Sequence, residues 1–309
     1  VNLNLLNDLA GISKNTLPPD ILDYIEKNPE IISLLRSAKN NKLKSAEFEK
    51  IEETINKSKT KCLIVAAGLG SRLKGHTEHN PKCMLDFGGK TLLQRQLSSY
   101  KDNGIEDISL IRGYKKNKIK YKGIKYFDNN DYNDNNILNS IFYGEEVING
   151  NIIISYSDIL FEPFVVKRAI ESDHDISVIV DIDWRDYYID RKDHPLSEAE
   201  NVIFNSNNEV VKIGKIASDK EEVHGEFIGM IKLNHRGCEI FKQNFHRVKK
   251  HFWNKPFQRA KIFQKAYLTD MIQELVDIGI KVHCVIIERG WKEIDTVEDY
   301  RKALIDFKR

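Results

Sequence analysis

Residues 62–73 read Cys62-Leu63-Ile64-Val65-Ala66-Ala67-Gly68-Leu69-Gly70-Ser71-Arg72-Leu73, and Asn80-Pro81-Lys82 follows shortly after. The run from Cys62 to Ala66 has the length and apolar continuity of a strand buried on both faces, as in a parallel sheet. The glycines directly behind it let the backbone turn sharply and bring its N–H groups close to a ligand. Arg72 and Lys82 add fixed positive charge. A strand feeding a glycine-rich cationic loop points to phosphate binding, with a plain strand-to-helix turn as the other reading of Gly68 and Gly70. Two common phosphate motifs do not fit. A dinucleotide-binding G-x-G-x-x-G needs glycine at 73, which is Leu73, and a P-loop ending in Gly89-Lys90-Thr91 needs glycine at 84, which is Met84.

Downstream, strands and helices alternate. The pattern predicts a helix over 91–103, a strand over 108–111, a helix over 137–147, and strands over 151–156 and 176–182. Further strands are expected over 209–215, 226–233 and 281–287, with a helix over 263–277. This alternation predicts an α/β fold, Rossmann-like, with a mostly parallel mixed sheet. Upstream, residues 1–57 read as a helical extension, with Asn28-Pro29-Glu30 as N-cap, first helical position and first-turn acid, and a third amphipathic stretch over 46–55. The domain proper is expected over 58–309.

The 309-residue chain has 48 basic and 46 acidic residues, a net charge of +2, so no strong field argues for a nucleic-acid or membrane partner. The basic run Tyr114 to Lys120 reads as a solvated surface. Cys62, Cys83, Cys238 and Cys284 show no C-x-x-C spacing and read as buried thiols of a reducing compartment. With no leader pattern and no apolar run near ~18 residues, a cytoplasmic location is the default expectation. Oligomeric state is open; a homo-oligomer is compatible with the sequence.

The segment Ala66-Ala67-Gly68-x-Gly70-x-Arg72 followed by Pro81-Lys82 resembles the signature of the NTP-transferase superfamily, which transfers nucleotides to sugar phosphates and other small phospho-compounds, and every signature position is matched. The resemblance spans about residues 61–309. It implies nucleotide binding by Ala66, Ala67, Gly68, Gly70 and Ser71, with Ser157 also near the nucleotide. It implies catalytic roles for Arg72, on the β- and γ-phosphates, and for Lys82, on the α-phosphate and incoming phosphate. Asn136, in Asn135-Asn136-Ile137-Leu138-Asn139-Ser140, resembles an element near the nucleotide or acceptor in choline-phosphate-type enzymes; a helix N-cap is its alternative reading.

Such a transfer needs a divalent cation, expected to be Mg²⁺. Asp158, after the strand 151–156, and Asp295, in Trp291-Lys292-Glu293-Ile294-Asp295-Thr296, resemble the family's two metal-binding aspartates. A helix N-cap competes for Asp295. Asp181-Ile182-Asp183 is similar to the D-x-D motif of metal-dependent glycosyltransferases, a different class, but those lack the glycine-loop signature. Asp181 and Asp183 therefore read as substrate-pocket or structural residues.

Within the superfamily the chain looks closest to small cytidylyltransferases, namely those of phosphonate biosynthesis and bacterial phosphocholine cytidylyltransferases. The blocks Val180 to Arg185, Arg191-Lys192-Asp193-His194-Pro195, Glu198-Ala199-Glu200 and Gly225 to Met230 resemble the phosphonate branch. The partners implied are CTP and a small phosphonate or phospho-alcohol. Arg185, Arg191 and His194 are candidates for a dianionic head group, and Glu226 and Trp291 for the acceptor pocket. Trp184, Tyr187, Tyr188 and Trp291 offer the rival reading, a cation–π box for a quaternary ammonium as in phosphocholine transfer. A sugar-1-phosphate nucleotidyltransferase and a non-catalytic nucleotide-binding regulator stay open as further alternatives.

Overall fold

The first strand, β1 (Thr60–Ala66), is buried from Cys62 onward. In the computed structural model, which describes residues 17–48, 50–51, 59–189, 191–216 and 223–306, β1 lies between two parallel neighbours. These are β2 (Ile108–Arg112) and β4 (Asn151–Tyr156). A strand hydrogen-bonded on both edges and covered on both faces has no polar side to spare, hence the unbroken apolar run. β3 (Lys125–Asp128) adds beyond β2. On the other side, β4 pairs antiparallel with β9 (Gly225–Leu233), β9 antiparallel with β6 (Ile176–Asp181), and β6 parallel with β10 (His283–Ile287). The order is therefore β3-β2-β1-β4-β9-β6-β10, with only β9 reversed. A hairpin of β7 (Asn201–Phe204) and β8 (Val210–Gly214) extends from β9.

Alternation sorts side chains into two cores. Leu63, Val65, Ile154, Val178 and Ile231 pack with Phe241 and Phe245 of α6 (His235–Phe252) and with Met271 and Leu275 of α7 (Leu268–Asp277). Cys62, Ile64, Ile153 and Ile179 point the other way, toward Leu93 and Tyr100 of α3 (Leu92–Lys101) and Val165 and Val166 of α5 (Pro163–Ile170). Each fully buried Leu, Ile, Val or Phe stabilises the fold by about 1.5–3 kcal/mol relative to exposure. The α/β fold with a mixed sheet is thus as expected.

Local differences have physical causes. The helix expected over 137–147 is α only over α4 (Ile137–Ile141) and tightens to 3₁₀ geometry afterwards, with a break at Gly144. The helix expected from 263 starts at Leu268, after a short 3₁₀ turn. β3, β5 (Ile159–Phe161), β7 and β11 (Trp291–Glu293) were not anticipated, nor were α5 and the 18-residue α6.

The chain divides into units Val1–Asn56 and Lys57–Arg309. In the first, α1 (Pro19–Lys27) and α2 (Glu30–Asn40) are amphipathic helices. Asn28 ends α1, its side-chain amide donating to the Tyr24 carbonyl at 2.9 Å, and the cap position of α2 is Pro29. The expected N-cap role of Asn28 is therefore corrected: its side chain bonds backward. Of the third stretch, residues 49 and 52–55 lie outside the described residues. Among the described residues, no helix is long and apolar enough to cross a membrane.

One glycine controls how α6 docks. A Cβ at Gly237 would lie 1.8 Å from the Asp175 carbonyl oxygen, while the Gly237 N–H donates to the Asn234 N-cap at 2.8 Å. Gly237→Ala should destabilise the protein by about 1–3 kcal/mol through overpacking. The expected signature is a lower urea midpoint with an unchanged slope.

Candidate active site

The carboxyl ends of β1, β4 and β6 open onto one side of the sheet, as ligand sites in open α/β sheets do. A cavity of about 610 Å³ lies there. Its floor includes Ala66 and Ala67 at the end of β1, and its rim the loop Gly68 to Arg72. Gly70 adopts φ +63°, and a Cβ there would press on Lys82 Cβ at 3.1 Å. Glycine is needed at 70 for both conformation and space. At Gly68 a Cβ would meet nothing within 4 Å, so protein packing alone does not demand glycine there. Asn136 and Ser157 also line the cavity. Asn136 is at the same time the N-cap of α4, accepting from Ile137 N–H at 2.8 Å and donating to the Lys265 carbonyl at 3.2 Å. The helix N-cap reading of that residue thus holds, and the residue also faces the cavity.

Lys82 is buried and its ammonium donates to Asp158 Oδ2 at 2.8 Å and to Asp295 Oδ1. Arg72, half exposed, pairs with the other oxygen of Asp295. Burial disfavours the Lys82 charge, but Asp158, Asp295 and Glu293 more than offset this and hold it firmly protonated. Burial likewise pushes the Asp295 carboxyl up, and Lys82 and Arg72 pull it down to about 2. Asp158 Oδ1 is buried with no hydrogen-bond partner. Asp295 does not cap the following helix, α8 (Val297–Asp306); Thr296 does, accepting from the Asp299 N–H at 3.2 Å while Asp299 Oδ2 accepts from the Thr296 N–H at 2.8 Å.

Three devices bring these distant residues together. β5 and β11 form a two-stranded antiparallel ribbon, and beside it the Ile294 N–H donates to the Asp158 carbonyl at 2.8 Å. Gln96 on α3 donates to the carbonyls of Tyr156 (2.9 Å) and Ile159 (2.7 Å), fixing the turn that carries Asp158. The loop holding Arg191 and His194 is latched to α8: Arg191 Nε donates to Asp299 Oδ1 at 2.8 Å, and the Lys192 N–H to Glu298 at 3.0 Å.

His194 is the acceptor candidate that reaches the cavity. Its ring is 3% exposed, with Nδ1 3.5 Å from Asp295 Oδ2 and Nε2 3.6 Å from Glu293 Oε2. Burial and the Arg191 charge push its pKa down to about 4. Asp181, Asp183, Arg185, Arg191, Glu226 and Trp291 do not line the cavity. Asp181 accepts from Trp291 Nε1 at 2.8 Å and from the Arg289 N–H at 2.9 Å, so it fixes the β10–β11 turn. Asp183 pairs with Arg289 on the surface. Arg185 stacks over Trp184, and Tyr187 and Tyr188 pack against the Arg191 guanidinium rather than forming an open aromatic box. The substrate-pocket reading of these six residues and the cation–π box are therefore not what the geometry assembles. In their place stand Glu293, Glu198, Glu200, Lys215, Lys265 and Tyr267. Glu293 was legible in principle: it lies two residues before Asp295, on the same side of an extended segment. The others lie on loops and strand ends whose facing is set by tertiary packing.

Glu226 is buried on β9 and accepts from the Tyr188 hydroxyl, while its Oε2 has no partner. Burial raises its pKa to about 8. The folded state therefore holds this proton more tightly than the unfolded chain, and Glu226 makes stability fall as pH rises from about 4.3, its unfolded pKa, until the folded pKa of about 8 is passed. Glu226→Gln, which cannot titrate, should flatten the decline of Tm between pH 5 and pH 8.

Residues 62–203 match the MobA-like NTP transferase domain. CTP:phosphoglutamine cytidylyltransferase of Campylobacter jejuni is 26% identical over 248 residues, covering 77% of this chain and 96% of that protein. Choline-phosphate cytidylyltransferase of Streptococcus pneumoniae is 34% identical over 106 residues, 33% of this chain and 46% of that one. 2-Aminoethylphosphonate cytidylyltransferase of Lancefieldella rimae is 29% identical over 98 residues, 30% and 40% of the two chains. The solved CTP:phosphocholine cytidylyltransferase of Streptococcus pneumoniae shares the fold with a TM-score of 0.62 at 21% identity, covering 81% of this chain and all of that one. Residues 62–203 thus resemble the MobA-like NTP transferase domains, and the chain is a nucleotidyltransferase.

Proposed function

We propose that residues 58–309 act as a CTP-dependent cytidylyltransferase, moving CMP onto a small phosphonate and releasing pyrophosphate. The carrying observation is the buried Lys82 ammonium, held by Asp158 and Asp295 in a cavity rimmed by the Gly68–Arg72 loop. The choice of CTP rests on the relatives, which include enzymes acting on phosphoglutamine, choline phosphate and 2-aminoethylphosphonate.

In this reading the triphosphate lies against the Gly68–Arg72 loop, whose backbone N–H groups and Arg72 meet its oxygens. The acceptor oxygen, already ionised near neutral pH, attacks the α-phosphorus. The new P–O bond forms as the bond to the β-phosphate oxygen breaks, and pyrophosphate leaves with the electron pair. No general base is required. Lys82 neutralises charge on the α-phosphate and on the attacking group, so catalysis is positioning plus charge stabilisation. A divalent cation, in this reading Mg²⁺, fits Asp158 and Asp295: both are carboxylates, and Asp158 keeps a buried oxygen with no partner. When bound it supplies charge neutralisation to the phosphates.

The acceptor wall favours an amine-bearing phosphonate over a neutral one. Arg185 and Arg191 lie off the cavity, whereas Glu200 lines it. Glu200 accepts from Thr269 Oγ1 at 2.6 Å and has no ion pair among the described residues. An ammonium on the acceptor would complete it.

The deciding assay is pyrophosphate release with CTP and Mg²⁺ against 2-aminoethylphosphonate, 2-hydroxyethylphosphonate, phosphocholine, phosphoglutamine and a sugar 1-phosphate. The highest kcat/KM is expected for 2-aminoethylphosphonate. Turnover confined to a phosphate ester or to phosphoglutamine would overturn the phosphonate choice, and turnover with another NTP but not CTP would overturn the base. Lys82→Met should lower kcat on the order of 10²-fold at saturating CTP, the magnitude seen for single electrostatic contacts in transition states. Near-normal kcat in that variant would remove Lys82 from the chemistry.

A further inference from the structure

We infer that His194, Glu293 and Asp295 form a mixed nitrogen–oxygen cation site that takes a first-row transition-metal ion, such as Co²⁺ or Mn²⁺, in preference to Mg²⁺. One donor atom from each of the three residues lies within 4.8 Å of the other two. Asp158, the carboxylate paired with Asp295 through Lys82, is not in this group. The set therefore lies to one side of the Asp158–Asp295 pair and shares one member with it.

The independent observation is the histidine. His194 is 97% shielded from solvent, and its Nδ1 has no hydrogen-bond partner. Its distances of 3.5 Å to Asp295 and 3.6 Å to Glu293 are too long for good hydrogen bonds, yet both ring nitrogens face carboxylate oxygens. A buried polar atom without a partner is costly, so an arrangement that keeps one implies a ligand that completes it. A cation between these donors would bind one ring nitrogen and leave the other facing a carboxylate, the usual second contact of a metal-bound imidazole. Access exists through Glu293, whose side chain is 24% exposed.

The donor chemistry sets the ion class. Mg²⁺ prefers oxygen ligands, retains its waters and needs near-octahedral geometry. An imidazole beside two carboxylates suits the borderline first-row ions better. The scaffold of the site is rigid: Arg191 and Asp299 fix the backbone on either side, and the Asp295 N–H donates to Asp299 Oδ2 at 3.1 Å. Arg72, half exposed on its loop, is the cation that yields Asp295 when the ion enters.

All three donors belong to the protein, so the site does not depend on the choice of CTP or of acceptor. Its test is a Co²⁺ titration of the full-length, chelator-treated, nucleotide-free protein, followed by calorimetry and by the visible d–d absorption of cobalt, with Mg²⁺ as competitor. Wild type should bind Co²⁺ well ahead of Mg²⁺, with a d–d spectrum showing nitrogen ligation. His194→Gln should lose that spectrum and bind about 10–100-fold more weakly, while Asp158→Asn keeps both. Should His194→Gln lower the melting temperature, Glu293→Gln is read in its place, with the same weakening expected. Equal Co²⁺ affinity in wild type and both of these variants, loss of binding in Asp158→Asn alone, or no Co²⁺ binding in the absence of nucleotide would each overturn the inference. A transferase that releases pyrophosphate yet fails this titration would leave the functional reading standing.

Discussion

The site is organised around one buried ammonium, that of Lys82, bonded to Asp158 and Asp295. Burying a charge is costly unless it is paired, and removing one partner leaves the other stranded. Here one cation and two carboxylates, with Arg72 on the outer side, share the burden. The three meet only if the loop after β1, the turn after β4 and the segment after β11 are held in register. The β5–β11 ribbon does this for the two carboxylates, and Gln96 does it for the β4 turn by donating to two of its carbonyls.

Polar satisfaction is uneven across the molecule. In the core, Tyr100 donates to Ser155 at 2.7 Å and Ser172 bonds Ser177 at 2.8 Å, so buried hydroxyls are paired. Around the cavity, Asp158 Oδ1, His194 Nδ1 and the Tyr156 hydroxyl are buried without partners, and just behind it so are Glu226 Oε2 and the terminal nitrogens of Arg191. Unpaired groups thus gather at the cavity and just behind it. The same crowding of charge explains the opposed titration of neighbours: Asp295, beside two cations, is held low, while Glu293, partly desolvated and beside Asp295 and Asp158, is held well above the usual carboxylate range.

Several elements escaped sequence reading for identifiable reasons. β5 and β11 are only three residues long and carry too few side chains to show a period. α6 has a strongly charged outer face, and its apolar stripe of Cys238, Phe241, Phe245 and Val248 is thin. Asn28 carries an acceptor and a donor, and its donor turned back to α1. The aromatic residues 184, 187 and 188 were ambiguous by type; packing around Arg191 resolved them as support for a loop rather than as a ligand cage.

By itself the sequence determined the central strand, the glycine loop and the two basic residues behind it. Those properties are local: an apolar run buries on both faces, and only glycine accepts φ +63° against the Lys82 side chain without strain. It also singled out Asp158, which follows the strand 151–156, and, through the family resemblance, Asp295. The rest of the cavity wall was decided by the tertiary structure alone. Which of Asp181, Arg185, Arg191, His194, Glu200, Glu226 and Glu293 faces the cavity depends on how the 191–199 loop latches to α8 and on how β11 pairs with β5, and no spacing along the chain encodes contacts between residues a hundred or more positions apart.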